Sequence, residues 1–333
     1  MRAAVAPLEQ ARLRLARGLE SGAWDGLASR ALSAAWSAIA SHSLARPLAL
    51  PAAARVIAVG GATLGGSGKT PLAIACAREI ARGGERVAFV AHGYRATPGT
   101  PRVVREDDDV AVVGDEALVA ARALRGIAPV IVATTRQAAV DYAVSRGEVL
   151  VLDGVLQITP RRASLALLAL DASAPWGTGH VPPRGDLRAP SLRLLAAADH
   201  AVLLCDELML APGEGHVARV VSRGAHFADR LLAWPELAPL RVGLFTALAR
   251  PGRIAQSLAR RGITPAALVG SADHVAPSPR SLARRLASAP VDLWLASPKC
   301  ATHLEAARIP HATLDHDVFL DESLVEVLRG GSG

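Results

Sequence analysis

Val56-Ile57-Ala58-Val59-Gly60-Gly61-Ala62-Thr63-Leu64-Gly65-Gly66-Ser67-Gly68-Lys69-Thr70 is the stretch whose reading decides the fold. An apolar run leads into a glycine-rich loop, and Thr70–Arg82 then carries a helical pattern. Strand, loop and helix in that order make a P-loop. Glycines let backbone N–H groups wrap around phosphate oxygens, and the helix points its positive end at the anion. Lys69 would reach the β- and γ-phosphates of a nucleotide, and the Thr70 hydroxyl would bind Mg²⁺. The expected nucleotide-binding set is Thr63, Gly65, Gly66, Ser67, Gly68, Lys69 and Thr70. Thr63 stands where such loops usually begin with glycine. A fortuitous glycine-rich turn is the bland alternative, and the flanking strand and helix weigh against it.

Outward from this loop the chain keeps alternating. Val87–Ala91, Val130–Ala133, Val149–Leu152, Leu165–Leu170, Ala201–Leu204, Val242–Phe245 and Leu293–Ala296 read as buried strands. Asp115–Arg125 and Arg253–Arg261 read as helices between them. Apolar runs joined by helices predict a parallel sheet covered on both faces, hence a doubly wound α/β fold of the P-loop NTPase type. Trp176–Pro190 is rich in proline and glycine and reads as a loop and a domain junction. The expected division is a helical segment 1–50, a P-loop core 51–190 and a smaller C-terminal α/β lobe 191–330 that completes a cleft.

Leu32, Trp36 and Ile39 share one face of a helix ahead of the first strand, with Arg12, Arg14, Arg17, Arg30 and Arg46 around it. An interfacial helix on an anionic membrane and a helix packed on the sheet fit this pattern equally. No stretch approaches the ~18–20 uninterrupted apolar residues of a spanning helix, and no signal peptide is expected.

Composition narrows the class. The chain is 51% hydrophobic, enough for a large core and against disorder. Its net charge of +7 suits nucleic acid, anionic lipid or phosphorylated substrates, but an aromatic content of 3% argues against base-stacking platforms. Cys76, Cys205 and Cys300 are widely spaced and odd in number, without metal or disulfide spacing, which fits a reducing cytosol. Of 37 basic residues only Lys69 and Lys299 are lysine. A chain that uses arginine nearly everywhere keeps lysine where a compact, flexible ammonium is needed. Asp153 ends the run Val149–Leu152, where a metal-binding carboxylate of a P-loop protein sits; an ordinary loop aspartate fits the same place.

The string Gly60–Pro71 resembles the P-loop of the tetraacyldisaccharide 4'-kinase family, including threonine at Thr63 and proline at Pro71. The resemblance continues in order. Gly93-Tyr94 is similar to an Arg-Gly-Tyr motif, with His92 in place of arginine. Gly114-Asp115-Glu116 matches Gly-Asp-Glu, and Asp153 and Gln157 fall on Asp-Asp-Gly-aromatic-Gln-His. Pro183–Arg188 is similar to Pro-Ala-Gly-Pro-Leu-Arg, Ala249-Arg250-Pro251 to Ala-Arg-Pro, Asp273-His274 to Asp-His, and Ser297–Cys300 to Thr-Glu-Lys-Asp.

This resemblance implies an ATP- and Mg²⁺-dependent kinase of lipid A biosynthesis. It would transfer the γ-phosphate to the 4'-hydroxyl of an acylated disaccharide 1-phosphate, peripherally on the cytoplasmic face of a bacterial inner membrane. It implies Asp115 as the base, tuned by His274, with Lys69 and Arg188 on phosphate or substrate and Thr70, Asp153 and Gln157 around the metal. Read locally, Asp115 also fits a helix N-cap and His274 a loop histidine. Neither nucleic acid nor an obligate protein partner is expected.

Gly154, Ile158, Ala189 and Cys300 break the family pattern. Gly154 and Ala189 lack two carboxylates expected near the metal, which predicts a slow kinase with an elevated Mg²⁺ requirement. A catalytically weakened ATP- and lipid-binding relative, or another P-loop NTPase, are the alternatives. The absence of an Asn-Lys-x-Asp base-specificity motif weighs against other NTPase classes.

Overall fold

The computed structural model describes residues 14–15, 18–43, 45–91, 93, 96–210, 215–248, 250–271 and 278–330. Arg12, Arg17, His92, Tyr94, Ala249, Asp273 and His274 lie outside them.

In chain order the strands are β1 (Ala45–Pro47), β2 (Arg55–Gly61), β3 (Val87–Val90), β4 (Arg102–Val103), β5 (Val130–Val132), β6 (Val149–Asp153), β7 (Gln157–Thr159), β8 (Leu165–Asp171), β9 (His200–Asp206), β10 (His216–Val221), β11 (Gly224–Phe227), β12 (Arg230–Ala233), β13 (Val242–Thr246), β14 (Ala267–Gly270), β15 (Leu293–Ala296), β16 (Ala312–Leu314) and β17 (Asp317–Leu320). The helices are α1 (Leu27–Ser43), α2 (Lys69–Arg82), α3 (Val110–Val113), α4 (Asp115–Ala123), α5 (Arg136–Ala143), α6 (Ser191–Ala197), α7 (Trp234–Leu237), α8 (Pro251–Arg260), α9 (Pro279–Ala287), α10 (Pro298–Ala306) and α11 (Glu322–Leu328).

A nine-stranded sheet runs β17-β10-β9-β8-β2-β6-β3-β5-β4. Its strands from β10 to β5 are parallel, and antiparallel β17 and β4 close the edges. The expected strands are here, and the α/β class is as the apolar runs predict. Burial explains those runs. Val56, Ile57, Ala58 and Val59 have no exposed surface, because helices cover both faces. The inner strands carry two apolar clusters, one around Ile57, Leu72 and Phe89 and one around Val56, Ile131 and Leu150.

A second sheet runs β12-β11-β16-β15-β13-β14. The expected boundary between 190 and 191 does not match the sheets. β9, β10, β17 and α11 belong to the P-loop lobe, and the second lobe is the stretch from β11 to β16 inserted between β10 and β17. Nor is Trp176–Pro190 a junction. It packs on the P-loop lobe: Val181 and Leu187 are buried, and Val181 O accepts a 2.9 Å bond from Ser33 Oγ of α1.

Arginines from α8 and its flanks stitch the lobes together. Arg250 pairs with Asp186, Arg253 with Asp171, and Arg261 with both Asp206 and Glu207. The chain crosses between lobes twice, side by side. Val221 opposes Asp317 in one sheet, Ala225 opposes Leu314 in the other, and Arg223 pairs with Asp315 at the crossing.

On α1, Ser33 and Ala40 face the protein, while Leu32, Trp36 and Ile39 are exposed by 61%, 44% and 63%. Neighbouring α6 exposes Leu192 and Leu195. The apolar face seen in the sequence therefore points away from the sheet. Among the described residues, no helix is long and apolar enough to cross a membrane.

Candidate active site

The P-loop lies at the C-terminal end of β2, and α2 starts directly at Lys69. Gly66 and Gly68 take φ values of 73° and 80°, the left-handed region that glycine tolerates. A Cβ on Gly68 would stand 2.7 Å from the Leu204 Cδ2 methyl, which would have to move aside, in addition to the strain of that φ. Thr63 Oγ1 donates to Gly65 O at 2.7 Å, a local tie that replaces the usual first glycine with a hydroxyl bond. Arg188 N donates to Ala62 O and Leu64 N to Asp186 O, which fix the loop to the 176–190 segment. From the second lobe, Arg253 donates to Gly66 O at 3.1 Å. Gly65 and Ser67 complete the loop, and Ser67 is buried.

β6 neighbours β2 with Val59 opposite Asp153, so the Asp153 carboxylate ends level with the P-loop. Thr70 Oγ1 donates to Asp153 Oδ2 at 2.6 Å. Asp153 is fully buried, and its Oδ1 has no hydrogen-bond partner. Burial pushes its carboxyl above the ordinary carboxylate range, with Lys69 opposing. Among the described residues no cluster of three His, Cys, Asp or Glu forms a protein-only cation cage. One hydroxyl and one enclosed carboxylate oxygen instead fit Mg²⁺, which binds few protein ligands and completes its shell with phosphates and water. Gln157 stands half-buried on β7, opposite Ala45 of β1. It takes no part in the Thr70–Asp153 contact.

A charge cluster closes the other side. Asp115 and Glu116 open α4 with buried side chains, where carboxylates complement the helix dipole. Lys69 Nζ lies 2.9 Å from Glu116 Oε1. Lys299 Nζ, from α10, lies 3.7 Å from that same Oε1 and 3.7 Å from Asp115 Oδ2. His303 Nε2 is 3.9 Å from Asp115 Oδ2. The expected Asp115–His274 pairing falls outside the described residues, while His303 and Lys299 are side chains the sequence reading did not place beside Asp115.

Arginines gather around Asp153. Arg136 donates to Asp153 O at 2.7 Å, and Arg188 Nε is enclosed without a hydrogen-bond partner. Burial pushes both guanidinium groups down, and Arg46 on β1 adds repulsion to each. Cations held this close together need an anion, and the P-loop end of the sheet is where phosphate arrives. Arg136 carries no distinguishing signal among 35 arginines, and Arg46, grouped in the sequence with the cations around the N-terminal helix, stands instead at this site.

Two departures from the family pattern take on a different meaning here. Ala189 has no exposed surface and packs with Ala62, Leu187, Leu194 and Ala197 in an apolar cluster. It therefore does not leave a gap beside a metal, contrary to expectation. Gly154 has φ 77°, a backbone state that aspartate adopts only with strain.

A cleft adjoins the loop beyond Arg253, at the C-terminal ends of β8 and β9. Asp171, Asp206, Met209, Trp234 and Leu314 line it. Crevices at that edge of an open parallel sheet are where ligands bind.

A family model described as tetraacyldisaccharide-1-P 4'-kinase matches residues 28–329. The tetraacyldisaccharide 4'-kinase of Gluconacetobacter diazotrophicus is 34% identical over 260 residues, 76% of this chain and 76% of that one. That of Chelativorans sp. is 37% identical over 183 residues, 54% of this chain, and the match spans 49% of that relative's length. A crystal structure of "apo" form LpxK from Aquifex aeolicus in complex with ATP aligns with TM-score 0.65 at 21% identity, covering 90% of this chain and 96% of that one. At that identity the likeness speaks for the fold alone.

Proposed function

The chain belongs to the tetraacyldisaccharide-1-P 4'-kinase family, and from that we propose that it transfers the γ-phosphate of ATP to the 4'-hydroxyl of a tetraacyldisaccharide 1-phosphate. The observation that carries this reading is the meeting of Lys69, Thr70 and Asp153 at the P-loop with two further carboxylates, Asp115 and Glu116, facing it.

In this reading the P-loop amides and Lys69 hold the triphosphate, and the cleft along Asp171 and Asp206 takes the nucleoside. Thr70 and Asp153 would hold Mg²⁺, which when bound would supply positive charge to offset that of the triphosphate. Asp115 accepts the proton of the acceptor hydroxyl as its oxygen bonds to the γ-phosphorus. The bond from that phosphorus to the β–γ bridging oxygen breaks, and ADP leaves. Arg188 and Arg136 stabilise charge on the moving phosphoryl group. The acceptor is amphiphilic, so the enzyme must meet it at a lipid surface. The exposed Leu32, Trp36, Ile39, Leu192 and Leu195 support peripheral docking, and the family's chemistry points to the cytoplasmic face of the inner membrane.

Incubation with γ-labelled ATP, Mg²⁺ and a tetraacyl disaccharide 1-phosphate tests this directly. Label should enter the lipid with wild-type protein and not with Lys69→Ala, which removes the ammonium but leaves the backbone cradle. Equal transfer by both proteins would overturn the assignment.

A further inference from the structure

The only two lysines of the chain face one oxygen atom, Glu116 Oε1. Lys69 approaches it from the P-loop lobe at 2.9 Å, and Lys299 from α10 of the second lobe at 3.7 Å. We propose that Lys299 is a positioning residue that takes over Glu116 from Lys69 when a nucleoside triphosphate enters the P-loop. Nucleotide occupancy is thereby tied to the seating of α10 on α4. The proposal rests on the reading of Lys69 as the phosphate-binding lysine.

Glu116 sits between the two ammonium groups in a closed space. Glu116 is 8% exposed, and the Lys69 and Lys299 side chains are 16% and 17% exposed. An ammonium bonded to Glu116 must change partner to serve phosphates. A buried carboxylate that loses a counter-ion is destabilised strongly. Lys299 already faces the same oxygen, and a shift of about 1 Å brings it to hydrogen-bond length. Arg122 and Glu305 already join α4 to α10 through two bonds, at 2.9 and 2.7 Å, so the approach needs no new docking.

The residue type supports the role. A guanidinium would lock into one fork, whereas a lysine stem can pivot between Glu116 and Asp115. Lys299 also stands 3.7 Å from Asp115 Oδ2, so the ammonium that turns to Glu116 already neighbours the carboxylate that receives the acceptor proton.

The test measures Mg-ATP affinity by calorimetry, with the KM for ATP and the thermal midpoint, on five full-length proteins. These are wild type, Lys299→Met, Lys299→Arg, Glu116→Gln and the Glu116→Gln/Lys299→Met double variant. Lys299→Met keeps length and volume without charge. It should weaken ATP binding and raise the KM for ATP by about tenfold, as expected of a coupling of ordinary size between two sites. Lys299→Arg, which keeps the charge but not the pivoting stem, should recover only part of this loss. The double variant should bind ATP as Glu116→Gln does, because a neutral amide needs no counter-ion. A thermal midpoint of Lys299→Met close to wild type separates the effect from unfolding. Unchanged ATP affinity in Lys299→Met overturns the proposal, and so do independent, multiplicative losses in the double variant. Wild-type protein that binds no ATP overturns the proposal together with the phosphoryl-transfer reading, whereas ATP binding that ignores Lys299 overturns the proposal alone.

Discussion

Thr70 Oγ1 donates to Asp153 Oδ2 at 2.6 Å, joining the first turn of α2 to the end of β6. The second oxygen of Asp153 is enclosed and without a hydrogen-bond partner. A carboxylate held this way is costly in the absence of a cation.

The first prediction follows from that cost. Burial raises the folded-state pKa of Asp153, so its ionised form opposes folding above the ordinary carboxylate pKa of 3.8. Asp153→Asn should stabilise the metal-free protein by about 1 kcal/mol at pH 7. The gain should shrink as acid protonates the wild-type carboxyl. The same variant should lose most phosphoryl transfer, and Mg-ATP should raise its thermal midpoint far less than that of wild type. Calorimetric melting at several pH values, with and without Mg-ATP, checks all three statements.

Asp115→Asn should lower turnover by about 10²–10⁴-fold, the range for loss of a positioned proton acceptor. ATP affinity should change little if, as proposed, Asp115 serves the acceptor hydroxyl rather than the phosphates. Steady-state kinetics in both substrates would show it. A variant whose loss lies wholly in the KM for ATP would contradict this role.

Gly154→Asp and Ala189→Glu look from sequence like repairs of a metal site. The structure predicts the reverse. Glutamate at 189 places a charge in an apolar cluster with no exposed surface, at a cost of several kcal/mol, about 3 or more. Aspartate at 154 must adopt φ near 77°, adding about 1 kcal/mol. The double variant should melt well below wild type and should not gain turnover. Unfolding curves and a Mg²⁺ titration of activity decide the matter.

These two positions also show where sequence reading stops. The parallel sheet was legible because doubly covered strands must be uniformly apolar, as Val56–Val59 and Val149–Leu152 are. The P-loop was legible because its chemistry is carried by the backbone of one contiguous stretch. Ala189 was not: whether a side chain faces metal or core depends on the 176–190 segment folding back onto α1. Lys299 carried a signal in its rarity, yet its contact with Glu116 arises only when α10 and α4 meet. The insertion of the second lobe was hidden as well. β10 and β17, at opposite ends of the lobe, pair at the sheet edge, and no periodicity announces a pairing across so many residues.

α1 yields the fourth prediction. Trp36→Glu combined with Ile39→Glu alters exposed positions, so the thermal midpoint should stay within a few degrees of wild type. Flotation with anionic vesicles should fall by at least about tenfold, since two apolar anchors are replaced by two negative charges. Transfer to a detergent-dispersed acceptor should be retained, while transfer to a vesicle-embedded one should drop. Unaltered flotation would mean that this face is not the docking surface.

The paired crossings of the chain between lobes have a mechanical consequence. Residues 222–223 and 315–316 run side by side, with Arg223 clasping Asp315, and each continues into a sheet at both ends. A lobe attached by two adjacent straps behaves like a hatch on a double-pinned hinge: swinging remains open to it, whereas twisting and sliding are resisted. The arginine pairs of α8 then act as the latch on the free side, and because they are largely buried, dissolved salt has little grip on it.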